Sequence, residues 1–227
     1  MKIEEFKDKH KGKRCFVIGT GPSLTKKDID RIREEITISM SGIIFAKEMW
    51  NFEPTYLISV DFGNFADPLF WKGYKESNSI PIISKWINLK SIHFNYKFTQ
   101  EQVDYLKKAI KVNFINKELW GPRLSGPDDI SLDLSKGIYQ CGTGIQDLCI
   151  PLASWLGCNP IYLLGCDCND KGHYYEYKTD HTDNGVVDQR VKTQYKYFAE
   201  RIPNLYNLNL SEESCPGVKK ITWKKLQ

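Results

Sequence analysis

Gly19-Thr20-Gly21-Pro22-Ser23 lies between a short apolar run, Arg14-Cys15-Phe16-Val17-Ile18, and a stretch whose apolar residues Leu24, Ile29 and Ile32 have helical spacing. Glycines at 19 and 21 let a chain turn tightly and let a phosphate approach backbone amides closely, while the start of a following helix presents further amides to an anion. Thr20 and Ser23 add hydroxyls. The segment has no third glycine where the dinucleotide fingerprint requires one, and it lacks the Gly-Lys-Ser/Thr of a P-loop. It predicts phosphate binding without naming a ligand; a plain strand-to-helix turn is the alternative. Gly142-Thr143-Gly144 has the same chemistry in weaker form, again where a helix is expected. Two such turns on one sheet could hold a nucleotide between them.

Acids and a histidine complete the set. Asp61 follows Thr55-Tyr56-Leu57-Ile58-Ser59-Val60, and Asp167 follows Pro160-Ile161-Tyr162-Leu163-Leu164-Gly165-Cys166. Carboxylates at the carboxyl ends of parallel strands face the ligand crevice and could hold a ribose hydroxyl, a magnesium ion or an amine; a solvated acid or helix cap is the competing reading. His181 sits between Asp180 and Asp183, neighbours that would orient an imidazole for general acid or base work. Tyr174, Tyr175 and Tyr177 precede it as candidates for a phosphate or sugar contact, and His173 competes with His181 for the histidine's role. There is no nucleophile elbow and no His-Glu-x-x-His, so hydrolase chemistry is disfavoured.

These residues need a scaffold that brings strand ends together. Apolar runs at 14–18, 36–40, 55–60, 80–84, 112–115, 160–165 and 205–208 alternate with helical patterns at 25–33, 43–50, 99–111, 142–156 and 187–201. That alternation predicts an α/β, Rossmann-like three-layer fold, with a mostly parallel sheet and helices on both faces. Residues 1–13 read as a short amphipathic helix. Irregular segments near 120–136 and 170–185 read as surface loop insertions over the site. At 227 residues, the chain suits one nucleotide-binding domain, 1–227.

Composition narrows the class. The net charge of +4 is spread over many acids and bases rather than gathered on one element, so no nucleic-acid partner is expected. Seven cysteines, an odd number, fall mostly in apolar runs, and Met1 to Lys13 has no secretory apolar core. Buried reduced thiols, a cytoplasmic location and no transmembrane segment are the expectations. Cys166-Asp167-Cys168 has the wrong thiol spacing for zinc. Trp71 and Trp86 leave a homo-oligomer open.

The run from Lys13 through Gly19-Thr20-Gly21-Pro22-Ser23-Leu24, Pro54-Thr55-Tyr56 leading to Asp61, and Ile161-Tyr162-Leu163-Leu164-Gly165-Cys166-Asp167 together resemble the 6-hydroxymethylpterin diphosphokinase-like family, which includes motility accessory factor glycosyltransferases. The tail from Leu205-Tyr206-Asn207-Leu208 to Pro216-Gly217-Val218 resembles it too. The order of elements is also similar to that of bacterial sialyltransferases that use a cytidine-monophosphate sugar. That resemblance implies a nucleotide-dependent transferase with a nucleotide-activated donor and a small-molecule or glycan acceptor, without a required metal. Gly19 to Ser23 and Gly142-Thr143-Gly144 would then hold the nucleotide, His181 would be catalytic, and Tyr174, Tyr175 or Tyr177 would meet the phosphate. Ser41-Gly42 stands where the sialyltransferases carry an asparagine. The diphosphokinase resemblance implies instead ATP and Mg2+, with Asp61 and Asp167 near the metal, although no His-x-His-Gly-Asp-type segment is found. A non-catalytic nucleotide- or sugar-binding protein is the third reading.

Overall fold

A computed structural model describes residues 1–61, 63–85, 98–115, 130–139, 143–167, 172–175, 189–209 and 214–226. His181, Tyr177 and Gly142, and Trp86 among the aromatics, lie outside them. The strands are β1 (Cys15–Ile18), β2 (Ile36–Met40), β3 (Tyr56–Ser59), β4 (Ile80–Ser84), β5 (Ile110–Val112), β6 (Ile161–Leu164), β7 (Leu205–Asn207) and β8 (Lys219–Lys220). They form one eight-stranded sheet in the order β5-β4-β3-β2-β1-β6-β7-β8, and every pairing is parallel. The chain lays strands outward in one direction from β1, then returns to its other side with β6. The topological switch point therefore falls between β1 and β6, where α/β sheets place their ligand crevice.

Parallel strands covered on both faces read as continuous apolar runs, and β1, β3 and β6 are buried at every position. Cys15, Val17, Ile58, Ile161 and Leu163 face one core, shared with Leu148, Leu152, Tyr195 and Phe198. Phe16, Ile18, Leu57, Tyr162 and Leu164 face the other, with Ile29, Ile43, Phe65, Tyr74 and Leu106. The helices α1 (Lys26–Arg31), α2 (Ala46–Trp50), α3 (Gly63–Ala66), α4 (Pro68–Glu76) and α5 (Gln100–Lys108) supply the second layer; α6 (Ile150–Trp155) and α7 (Gln189–Arg201) supply the first. The Rossmann-like three-layer expectation holds.

Several boundaries differ from the sequence reading. The lead-in is a single 3-10 turn, Ile3–Phe6, pinned by burial of Ile3 and Phe6. The fifth strand comes earlier, at Ile110–Val112, because Ala109 ends α5 in an extended conformation. The helix predicted from residue 142 opens as a π-helical turn, Ile145–Cys149, before becoming α6 at Ile150. Within the segment read as a surface loop, Ile130 and Leu134 are core residues. The edge strand β8 was hidden in a lysine-rich tail; exposed lysines on a two-residue edge discourage further pairing. Among the described residues no helix is long and apolar enough to cross a membrane.

Candidate functional site

The turn after β1 is wired into the turn after β6. The Gly19 amide donates to the Leu164 carbonyl at 2.7 Å, and the Gly21 amide to the Gly165 carbonyl at 2.8 Å. A Cβ on Gly21 would stand 2.8 Å from both Asp167 Cγ and the Gly165 carbonyl oxygen, and one on Gly19 2.8 Å from the Gly165 carbonyl carbon. The glycines are thus required by the approach of two protein loops. The Ser23 amide donates to Asp167 Oδ2 at 2.8 Å, and the Leu24 amide to the Gly21 carbonyl at 3.1 Å. Pro22 has no amide. Within the turn, the N–H groups at 19, 21, 23 and 24 are used inside the protein. Helix α1 begins only at Lys26, after Thr25 caps it through the Asp28 amide, so its N-terminus is separate from the turn.

Asp167 is 3% exposed, and its Oδ1 has no hydrogen-bond partner. Buried carboxylate oxygens are normally paired, and an unsatisfied one asks for a partner that is missing. This one lies at the carboxyl end of β6, beside the switch point. The strand end that carries it is fixed from behind. The Cys166 amide donates to Asn209 Oδ1 at 2.8 Å, Asn209 Nδ2 donates to Asn207 Oδ1 at 2.6 Å, and Asn207 Nδ2 donates to the Ser214 carbonyl at 2.8 Å. The two asparagines, two residues apart at the end of β7, were missed as site residues; that spacing just past an apolar strand was the available signal.

The segment 172–175 crosses the same turn. The Tyr174 amide donates to the Thr20 carbonyl at 2.9 Å, and the Thr20 hydroxyl shares a hydrogen bond with His173 Nδ1 at 2.9 Å. The His173 ring lies parallel to Tyr175, with centroids 4.9 Å apart. Tyr174 is turned away from this position: its hydroxyl donates to the Gly42 carbonyl at 3.1 Å, and its ring packs on Trp50. Burial, with Tyr175 beside it, pushes its pKa well up, and burial pushes Tyr175 up to about 12, so both stay neutral. Tyr174 thus straps its segment to the 3-10 turn Ser41–Phe45 that follows β2.

Ser41 also faces inward. It is 4% exposed, and its Oγ accepts from Tyr74 Oη at 2.7 Å and Asn64 Nδ2 at 2.9 Å. Asp61 is exposed, and its Oδ1 accepts from the Gly63 amide at 2.8 Å, at the start of α3. Thr143 supplies its carbonyl to the Gln146 and Asp147 amides at 2.9 and 2.8 Å. A Cβ on Gly144 would meet Met40 Cε at 3.1 Å, so the π-helical turn packs closely on the end of β2. The structure therefore brings Gly19 to Ser23, Asp167 and His173 together, with Ser41 hydrogen-bonded to Tyr74 and Asn64 and Asp61 exposed at the end of β3. Five cysteines among the described residues are buried and in no disulfide, as expected.

The decisive comparison is with known families: residues 1–173 match the 6-hydroxymethylpterin diphosphokinase MptE-like family. The chain belongs to that family. The match runs from the N-terminus to His173 and takes in both turns, so the MptE-like region contains the β1 turn, Asp167 and the Thr20 contact. No curated protein matches the chain. Among solved structures, the chain is similar to a MAf glycosyltransferase from Magnetospirillum magneticum AMB-1, with a TM-score of 0.58 and 12% identity. The likeness covers 99% of this chain and 38% of that one, so the chain spans well under half of its structural neighbour's length. At that identity it establishes the shared fold of this MptE-like chain.

Proposed function

We propose that this protein is a nucleotide-dependent transferase, most simply a glycosyltransferase, whose donor nucleotide sits outside the ends of β1 and β6. The observation that carries the reading is the unpartnered, buried Oδ1 of Asp167 at the switch point. A carboxylate there accepts hydrogen bonds from a ribose or sugar hydroxyl, or from a base amino group, and a ligand supplying such a donor satisfies the buried atom. The glycosyltransferase fold of the neighbour and the family's nucleotide-using name both support a nucleotide donor and a second, hydroxyl-bearing substrate. His181 stays a proposed catalytic residue, acting on the acceptor hydroxyl.

The family's name supports a second reading, pyrophosphate transfer from ATP with Mg2+. Magnesium is commonly held by one or two carboxylates together with substrate phosphates. Asp167 Oδ1 fits that use as a single ligand; Asp61 is exposed, with its Oδ1 accepting from the Gly63 amide. No group of three or more acidic, histidine or cysteine side chains suited to a metal stands among the described residues.

Thermal melting with CMP, CDP, UDP, GDP, ADP and ATP, each with and without Mg2+, tests the proposal, because a ligand of the folded state raises the melting point by mass action. A metal-independent shift with a cytidine or uridine nucleotide is expected. A shift only with ATP and Mg2+ selects the second reading, and no shift with any nucleotide sinks both.

A further inference from the structure

The positive charge of the chain sits in two segments far apart in sequence. Residues 1–14 carry six lysines and arginines against three acids, and residues 218–227 carry four lysines and no acid. The remaining residues, 15–217, hold 22 cations against 25 acids, so the bulk of the protein is net negative.

The fold joins the two segments. Trp223 stacks on Phe16 of β1 with ring centroids 6.0 Å apart, and the Leu226 carbonyl accepts from Arg14 Nη1 at 3.5 Å. The neighbouring Lys13 carbonyl accepts from the Asn159 amide at 2.8 Å. The Asn159 and Asn204 side chains share a hydrogen bond of 2.8 Å, Asn204 and the Tyr206 hydroxyl one of 3.3 Å, and Lys219 Nζ lies 5.9 Å from the centre of the Tyr206 ring. Lys11, Lys13, Lys219, Lys224 and Lys225 around this seam are all exposed. Of the acids beside them, Glu35 accepts from Arg14 and Asp28 from Trp223 Nε1, while Asp8 and Glu34 are exposed. The seam lies at the N-terminal end of β1; the crevice lies at the other end, four strand residues or about 13 Å away.

The cations of this face are lysines apart from Arg14, whose guanidinium is already bonded to Glu35. Lysines are hydrated point charges without the fork that reads a phosphate or carboxylate through two bonds at once. They suit a surface of many diffuse charges better than a base edge or a single phosphorylated side chain. Ile221, Trp223 and Leu226 alternate with them and are half-buried. Basic, indole and aliphatic groups mixed in this way are favoured where protein meets lipid headgroups.

We propose that this face docks the protein on an anionic lipid bilayer, leaving the crevice at the opposite end of β1 turned to the water. The docking is independent of what the crevice binds. Each lysine near such a surface raises partitioning about fivefold. Without an inserted anchor the attraction is reversible and sensitive to salt.

Sedimentation with phosphatidylcholine vesicles carrying about 30% phosphatidylglycerol tests the proposal. At low salt the wild-type protein pellets with these vesicles and stays in solution with pure phosphatidylcholine. In about 1 M salt, where the screening length shrinks to about 3 Å, it is released. The triple variant Lys13→Gln, Lys224→Gln, Lys225→Gln lowers the partition coefficient about a hundredfold at an unchanged melting point. A control triple, Lys107→Gln, Lys108→Gln, Lys111→Gln, removes the same charge from exposed positions on α5 and β5, at the far edge of the sheet, and keeps wild-type partitioning. Equal losses in the two triple variants reduce the attraction to net charge and overturn the assignment, as does a wild-type protein that ignores anionic vesicles. Tighter binding to polyglutamate or to single-stranded RNA than to the vesicles also overturns it, and makes the face one for an acidic polymer.

Discussion

The pair β1–β6 has two ends, and they treat their polar groups differently. At the N-terminal end the chain closes on itself. The amides of Asp8, His10 and Gly12 donate to the carbonyls of Trp155, Leu156 and Gly157, capping the last turn of α6. Trp155 Nε1 donates to the Ile3 carbonyl, and His10 Nε2 shares a 2.8 Å hydrogen bond with the Tyr56 hydroxyl. At the C-terminal end the backbone is equally well tied, yet a buried carboxylate oxygen is left over. Satisfied polar groups at one end hold the fold; the spare one at the other, at a switch point, is where the proposed ligand would supply the missing partner. Mutations should therefore separate into two classes according to the end they touch.

The largest effect is expected at Gly21. Gly21→Ala drives a methyl into Asp167 and the Gly165 backbone. Overpacking of this kind costs about 1–3 kcal/mol, which in a chain of this size lowers the melting point by roughly 2–12 °C. Nucleotide-induced stabilisation should disappear as well, because Asp167 is what the methyl displaces. A variant that melts like wild type would show that the loops are not tightly joined.

Asp167→Asn should break the parallel between binding and stability. Its side-chain oxygen can still accept from the Ser23 amide, so the apo protein should keep its stability to within about 1 kcal/mol. Affinity for the nucleotide that stabilises wild type should fall about tenfold or more, as expected for a lost charge-assisted bond. If melting and calorimetry instead show lost stability with intact binding, the carboxylate belongs to the fold, like the groups at the opposite end.

The contrast also explains what the sequence could and could not reveal. Apolar runs such as Phe16-Val17-Ile18 and Ile161 to Leu164 are long enough and β-branched enough to announce buried parallel strands, and the glycine turn and Asp167 announce the crevice. What the sequence does not show is the partner of each polar side chain. Ser41 reads like a ligand residue, but Tyr74 and Asn64, distant in sequence, claim its hydroxyl. Tyr174 reads like a phosphate contact, but its partners lie in the 3-10 turn after β2. Pairing across 20 to 150 positions is set by packing, which no local pattern encodes. The asparagine pair behind Cys166 escaped for the same reason.

The smallest expected effect lies at the N-terminal end and acts only on stability. Tyr56→Phe removes the hydroxyl bonded to His10 and should cost about 1 kcal/mol, with nucleotide binding unchanged. Tyr56 is fully buried, and burial chiefly pushes its pKa up to about 12, so the hydroxyl stays protonated across the accessible range. His10 titrates in the opposite sense. Partial burial, reinforced by Lys9 and Lys13, lowers its pKa in the folded state. The unfolded chain then takes up the proton first as pH falls through about 6.5. This contribution to stability is therefore intact above that pH and is lost between it and the lower folded-state value. In melting curves from pH 8 to 5, His10→Gln should lack that part of the decline. A variant whose melting point follows wild type at every pH would show that His10 has no share in holding this end of the sheet.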